Sequence, residues 1–473
     1  MQLRSIFKNA GLYAIADIFN KALSFILLPF FTIYFSPIDY GIIDTFTIFQ
    51  LILGIFINWE INQALVRFVP ESTELQKKTF YSTSLVFVTL NIFILAGIFI
   101  FFQTYFIHVI NKTISLKLYY FGIATVFFNI LNSYFLLISR VQLAAKFVLY
   151  STLTNGLLTV LLSCFFVLYL HHGLEGYFLA MLCGSIASTL VLFFGHTHLF
   201  SIQSFLYPEL KKLLSYSIPL IPSALGVFIT IYIDRVIIKN YFNDEALGLF
   251  GIAYRFSLIS TIIVGSYLSS IGPLIFRDYK LSNFSETLNN YLKVYLFIAL
   301  ILLCGFGLFA KEVILIFTSN ASFNTSMNYI YLLALNGILF NFYVFFPSLS
   351  IAKNTFIISL ITIGSALLNI VLIIFLIPLL DIYGILISTL ISTICLQIST
   401  YYFGSKKFPI AINKILLIKF GIIASFFGAI NYIDLTLLVS ELNFLIISIK
   451  LLLFIAFSVF LYFQFAKTVQ SHG

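Results

Sequence analysis

The chain reads as a succession of apolar runs separated by short polar turns. The runs are about 20 residues long, which is what a helix needs to cross a bilayer. Fourteen windows can be laid down, at 9–34, 41–66, 79–102, 115–139, 147–170, 174–196, 212–238, 246–272, 290–310, 327–351, 355–377, 382–403, 413–431 and 440–464. No soluble domain and no low-complexity linker interrupts them. The pattern therefore predicts an all-α integral membrane protein of about 14 transmembrane helices.

An internal echo organises these windows. Tyr34-Phe35 is followed by Gly41 in YFSPIDYG, and Tyr241-Phe242 is followed by Gly248 in YFNDEALG, 207 residues further on. The turns LEGY around Gly176 and IYGI around Gly384 stand 208 residues apart. Two landmarks at nearly one offset predict the same bundle twice. The offset equals six windows, an even number, so the repeats run parallel. The predicted organisation is a six-helix bundle over 1–196, a cytoplasmic linker over 197–211, and a second six-helix bundle over 212–404. Two additional helices and a tail follow over 405–473. Transporters built from repeats place their substrate in a central cavity between the halves.

Composition agrees with this reading. Hydrophobic residues are 61% of the 473 and charged residues 9%, against about a quarter charged in soluble domains. The net charge of +9 suggests nucleic-acid affinity only out of context. Lys and Arg accumulate in the cytoplasmic loops of membrane proteins, so no nucleic-acid partner is expected. With the N-terminus inside, one side receives most of the basic residues, from Arg4 and Lys8 through Lys467. The other side receives Lys112, Lys117, Lys239 and Lys311. Both termini are predicted to be cytoplasmic.

Cys164, Cys183, Cys304 and Cys395 fall inside apolar runs, form no CxxC, and read as small hydrophobes. The histidines sit at helix ends, in loops or in the tail. The pair His196 and His198 is too small a ligand set for a metal, so both read as solvated and no metal is expected. Arg4 and Lys8 before an apolar stretch look like a signal peptide. No small-x-small cleavage site follows, so the segment is read as a retained first span.

A few charges fall within the windows: Lys21, Arg235, Arg255 and Lys450, with Asp17, Asp44, Glu60 and Asp234. Each costs roughly 2.5–3.5 kcal/mol at a helix centre, so such residues usually face a cavity or a partner. Lys21 lies roughly 18 Å and Arg255 roughly 14 Å into their spans at 1.5 Å per residue. The two cations form a candidate anion site, with Arg235 as a further cation. Asp17 stands one turn before Lys21 and can neutralise it. Arg235 can snorkel to the interface, paired with Asp234. Glu60 aligns poorly with Arg67 and points to the cytoplasmic mouth; Asp17, Glu60 and Asp234 are the candidate coupling or ion-pair acids. Lys450 lines a groove or faces lipid. Pro29, Pro219 and Pro222 mark kinks in the first helix of each half. No Walker A, HExxH or GxSxG motif occurs, so no catalytic residue and no cofactor is assigned. Uphill transport would then use an H+ or Na+ gradient or the gradient of the cargo itself.

Three stretches carry a resemblance: Leu28-Pro29 with the turn Ser36 to Gly41, Gln63 to Arg67 in QALVR, and Gly248 to Arg255 in GLFGIAYR. As a set they resemble the Wzx-type polysaccharide flippases of the multidrug/oligosaccharidyl-lipid/polysaccharide exporter superfamily. The similarity covers most of the first eight windows; the later ones agree in length and number. The resemblance implies a MATE-like fold, a twelve-helix core of two lobes around a V-shaped cavity, with two further helices. It implies a non-enzymatic flippase in the bacterial inner membrane. The implied cargo is an undecaprenyl-diphosphate-linked oligosaccharide for O-antigen or capsule synthesis, with a polymerase and a chain-length regulator as pathway partners and membrane lipid around it. Lys21 and Arg255 match the cavity cations that would hold the diphosphate. A drug or cation exporter of the same superfamily is the alternative, disfavoured by basic residues at mid-depth. A polymerase or ligase is disfavoured by outer loops of about a dozen residues.

Overall fold

The computed structural model describes residues 19, 23, 27–318, 320–352, 354–437 and 444–470. Every regular element among them is helical. Among the described residues, thirteen helices are long and apolar enough to cross a membrane, from Pro37–Asn58 to Phe444–Phe463. They correspond one to one with the second to fourteenth windows. Of the first window, residues 27–34 are described and are helical.

Local sequence explains the helix starts. Ser36 caps Pro37–Asn58: its hydroxyl accepts from Asp39 N, and Asp39 Oδ2 accepts from Ser36 N at 2.8 Å. That reciprocal box, with Pro37 in the first turn, satisfies donors that would otherwise be orphaned. Thr73 and Gln76 do the same for Glu74–Phe101.

Three windows are not continuous helices. The window 41–66 breaks after Asn58, because Trp59 and Glu60 both adopt left-handed backbone (φ 47° and 55°) before Ile61–Phe68 begins. The segment from Tyr207 runs as Tyr207–Ser217, a 3-10 turn Ile218–Leu220 containing Pro219, and Ile221–Tyr241 with Pro222 in its first turn. Residues 321–351 are interrupted by the 3-10 turn Asn341–Phe345. A further window ends late: Phe284–Phe317 continues past 310 and buries Lys311 and Glu312, so Lys311 is not an outer-loop residue.

Backbone contacts divide the chain into two compact units, Met1–Gly248 and Leu249–Gly473. Hydroxyls and amides knit the first unit. Tyr134 Oη lies 2.7 Å from Ser84 Oγ, Asn132 Nδ2 donates to Ser188 Oγ at 2.6 Å, and Ser151 Oγ meets the same Ser188 hydroxyl at 2.6 Å. Interhelical bonds of this kind average well under 1 kcal/mol each in membrane bundles. The segment after Gly195 is pinned too: Ser201 N donates to Ser82 Oγ and Leu206 N to Thr83 Oγ1.

His196 is not solvated. It is buried, packs on Phe147 at 5.2 Å, and keeps Nδ1 2.9 Å from Leu192 O. It lies just beyond Gly173–Gly195, and burial pushes its imidazole below the ordinary value. A histidine that resists protonation when folded supports the fold fully above about pH 6.5. That support is lost as the pH falls below the unfolded value. The thermal midpoint should therefore drop between about pH 7.5 and about pH 5.5, and His196→Gln should flatten the drop. An equally steep profile in the variant would remove His196 as its source.

Candidate functional site

The site lies in the first unit, along the Pro37–Asn58 helix and the elements at its two ends. At its starting end, Gly41 and Gly248 let two helices touch backbone to backbone. A Cβ on Gly41 would stand 1.9 Å from Asp244 O, and one on Gly248 would stand 1.8 Å from Pro37 O. The contact is reciprocal: each glycine meets the carbonyl four residues before the other. Reciprocity of this form is what a two-fold relation between two segments produces. The glycines that revealed the 207-residue offset are therefore each other's contact. Gly176 and Gly384 share a different local setting. Each sits in the first turn of its helix against the end of the preceding one, meeting Phe166 and Leu376 O respectively.

Beside the glycine contact is a latch of polar groups. Lys239 Nζ donates to Thr45 Oγ1 at 3.0 Å, to Asp244 Oδ1 at 2.5 Å, and to Ile110 O. Three acceptors exhaust an ammonium's donors. Asn111 Nδ2 donates to the other Asp244 oxygen at 2.6 Å. The side chains of Lys239 and Asp244 are only 14% and 17% exposed, so the pair is far better shielded than a surface ion pair. The latch joins Pro37–Asn58, the end of Gln103–Ile110, Ile221–Tyr241 and the first residue of the helix Asp244–Asp278.

At the far end of Pro37–Asn58, the break at Trp59 and Glu60 opens onto a cavity of about 560 Å³. Glu60, Gln63, Tyr216, Ser223, Phe228 and Tyr232 contribute to its wall. Two successive non-glycine residues in left-handed backbone are costly, and such strain clusters at functional sites. The membrane-spanning helix ends at Asn58, and Glu60 lies beyond it, half-buried. Desolvation pushes its carboxyl above the usual carboxylate range, offset in part by a hydrogen bond with the Gln63 side chain. Arg67 pairs with Glu71 at 2.5 Å, not with Glu60.

One stripe of the Ile221–Tyr241 helix connects cavity and latch. Phe228, Tyr232, Arg235 and Lys239 follow at steps of four, three and four residues, which places them on one face. Phe228 stacks on Tyr232 at 5.8 Å, and the Arg235 guanidinium stands 4.9 Å from the Tyr232 ring centre. Arg235 also donates to Ile231 O at 3.2 Å. Arg235 and Asp234 are buried, so Arg235 does not snorkel outward. Its flat cation lies between the cavity wall and the latch.

The sequence-predicted residues distribute as follows. Glu60, Asp234 and Arg235 belong to the first unit. Arg255 is half-buried on Asp244–Asp278, beyond Gly248 and so in the second unit. Lys21 and Asp17 lie outside the described residues. Sequence reasoning missed Asn111, Thr45 and Asp244. The charge pair Lys239 and Asp244, five residues apart in the repeated turn, was the available signal.

The chain is thus a multi-pass, all-helical membrane protein in which one end of Pro37–Asn58 is closed by a backbone contact and the other borders a mainly apolar cavity with Glu60 in its wall. The chain belongs to the family of polysaccharide biosynthesis proteins, whose model matches residues 6–278. In structure it is similar to the lipid II flippase MurJ in an inward closed conformation, with a TM-score of 0.72 and 18% identity, covering 98% of this chain and 99% of that one. It is also similar to an inward-facing multidrug resistance MATE family transporter of the MOP superfamily, with a TM-score of 0.66, 14% identity, and 86% and 96% coverage. A MATE transporter of Vibrio cholerae matches with a TM-score of 0.57, 11% identity, and 85% and 96% coverage. No curated protein matches the chain significantly.

Proposed function

We propose that the chain is a flippase that carries a lipid-linked oligosaccharide, joined through diphosphate to undecaprenol, from the cytoplasmic to the outer leaflet of a bacterial inner membrane. The product would feed O-antigen or capsule assembly. Membership of the polysaccharide biosynthesis family supports a glycan cargo, and the fold shared with MurJ supports a flippase.

The observation that carries the mechanism is the arrangement along Pro37–Asn58: one end closed by the Gly41–Gly248 contact and the Lys239 latch, the other open at Glu60. On the charge bias the closed end is outer and the open end cytoplasmic. Parallel halves over 1–196 and 212–404 would then rock about a site near the midplane, exposing it to one side at a time. Lys21 and Arg255 would meet the diphosphate and offset part of its desolvation. Arg235, on the stripe between cavity and latch, would sense the anion and transmit its arrival to Lys239. Glu60 would take up the coupling proton, at the mouth where it can exchange with water.

Two measurements test this reading. Arg255→Ala should cut surface polysaccharide at least tenfold with the protein level in the membrane unchanged; a fall in protein level alone would assign Arg255 to structure. In vesicles, flipping that an imposed proton gradient accelerates should lose that acceleration in Glu60→Gln. Unaltered acceleration would remove Glu60 from the coupling step.

A further inference from the structure

In the second unit, Lys450 sits between two carboxylates. Its Nζ lies 2.5 Å from Glu312 Oε1 and 2.6 Å from Asp434 Oδ2. The three residues come from Phe284–Phe317, Lys414–Leu437 and Phe444–Gln470. All are more than nine-tenths buried, at 6%, 7% and 4% exposure for Lys450, Glu312 and Asp434. One ammonium against two carboxylates leaves one negative charge in excess. The second oxygen of each carboxylate, Glu312 Oε2 and Asp434 Oδ1, is buried with no hydrogen-bond partner.

A buried carboxylate oxygen without a partner is costly, and removal from water makes the excess charge costlier still. Membrane proteins place such groups where ions pass or bind. The two ammonium-bound oxygens share one nitrogen, so they are at most 5.1 Å apart. The two orphan oxygens therefore belong to one compact cluster. Other titratable groups on these helices and on Met327–Phe340 include Lys311, Tyr432, Cys304 and Tyr331. Lys311 adjoins Glu312 in sequence, but consecutive helical residues do not share a face. Lys450 makes the ion pairs of both carboxylates. Tyr331 Oη is committed to Ala424 O at 2.5 Å.

We infer that Glu312, Asp434 and Lys450 form a binding site for one monovalent cation, H+ or Na+, held on the carboxylate oxygens that Lys450 leaves open. The cation cancels the excess charge and supplies the missing partner. It ties the last two helices to Phe284–Phe317 and is separate from Glu60. The inference does not rest on the flippase reading, and its test uses no transport assay.

The full chain is purified in lipid nanodiscs and its thermal midpoint followed in two titrations: Na+ at fixed pH with choline replacing it, and pH at fixed Na+. The expected result for the chain with Glu312 and Asp434 intact, carrying His196→Gln to remove the opposing histidine response, is a midpoint that rises by several degrees with Na+, or with acidification alone if the ion is H+. Glu312→Gln and Asp434→Asn each remove the excess charge, and each should lose that response. A His196→Gln chain that responds to neither ion, or a response that survives in both amide variants, overturns the site. Should neither variant fold, binding of radioactive sodium and proton uptake by the wild type decide it: uptake of neither overturns it, and one equivalent of either supports it.

Discussion

Gly41→Ala and Gly248→Ala should each abolish export, although alanine is the better helix former by about 1 kcal/mol. The opposing term is steric. A methyl group at either position would meet a backbone carbonyl at under 2 Å, so the two helix starts must part by more than 1 Å. Overpacking of this kind costs about 1–3 kcal/mol, and more where backbone rather than side chain must yield. The sealed end would then fail to close, with Lys239 and Asp244 pulled out of hydrogen-bond reach of their partners. Gly54→Ala is the control. It lies in the same helix as Gly41, and a methyl group there meets nothing within 4 Å. It should leave export unchanged and the thermal midpoint equal or slightly higher. If Gly41→Ala and Gly54→Ala behave alike, the glycine contact has no part in function.

How much of this was legible in the sequence differs by scale. Thirteen spans could be located because their signal is local: about 20 apolar residues in a row need no knowledge of neighbours. The offset between Gly41 and Gly248 could be read for the same reason, since a turn and a glycine are short motifs. Their reciprocal contact could not, because it depends on two helices separated by some 200 residues lying together. The break at Trp59 and Glu60 left no mark. Sequence reading looks for glycine or proline where backbone turns left-handed, and neither is present. The late end of Phe284–Phe317 was hidden by Lys311 and Glu312, whose charges close an apolar window. Glu312 is tolerable inside the bundle because Lys450 reaches it from a helix 138 residues on. Asn111 and Asp244 meet across 133 residues. The missed polar residues share one cause: their cost is met by a partner far along the chain, which no window of one helix can show.

A reducible bridge across the latch gives the most direct test of rocking. Asn111 and Asp244 touch through their side chains at 2.6 Å, and they stand on segments assigned to opposite halves of the proposed repeat. Asn111→Cys together with Asp244→Cys keeps two short side chains at these places. A short bis-thiosulfonate linker should then join them without moving the backbone, on a protein that lacks Cys164, Cys183, Cys304 and Cys395. Replacing Asp244 removes the Lys239 ion pair, so the uncross-linked double variant is the reference and should keep part of its activity. Linking it should stop export by at least tenfold, because the sealed end can no longer open to release cargo outward. Reduction should restore the reference rate within the same sample, which separates locking from damage. The linked protein should still admit a lipid diphosphate from the open end, since Glu60 and Tyr232 lie at the other end of Pro37–Asn58. Full export by the linked protein would mean that these segments never separate during the cycle. The latch would then be a structural clamp, and the cargo would have to cross without parting the halves at this end.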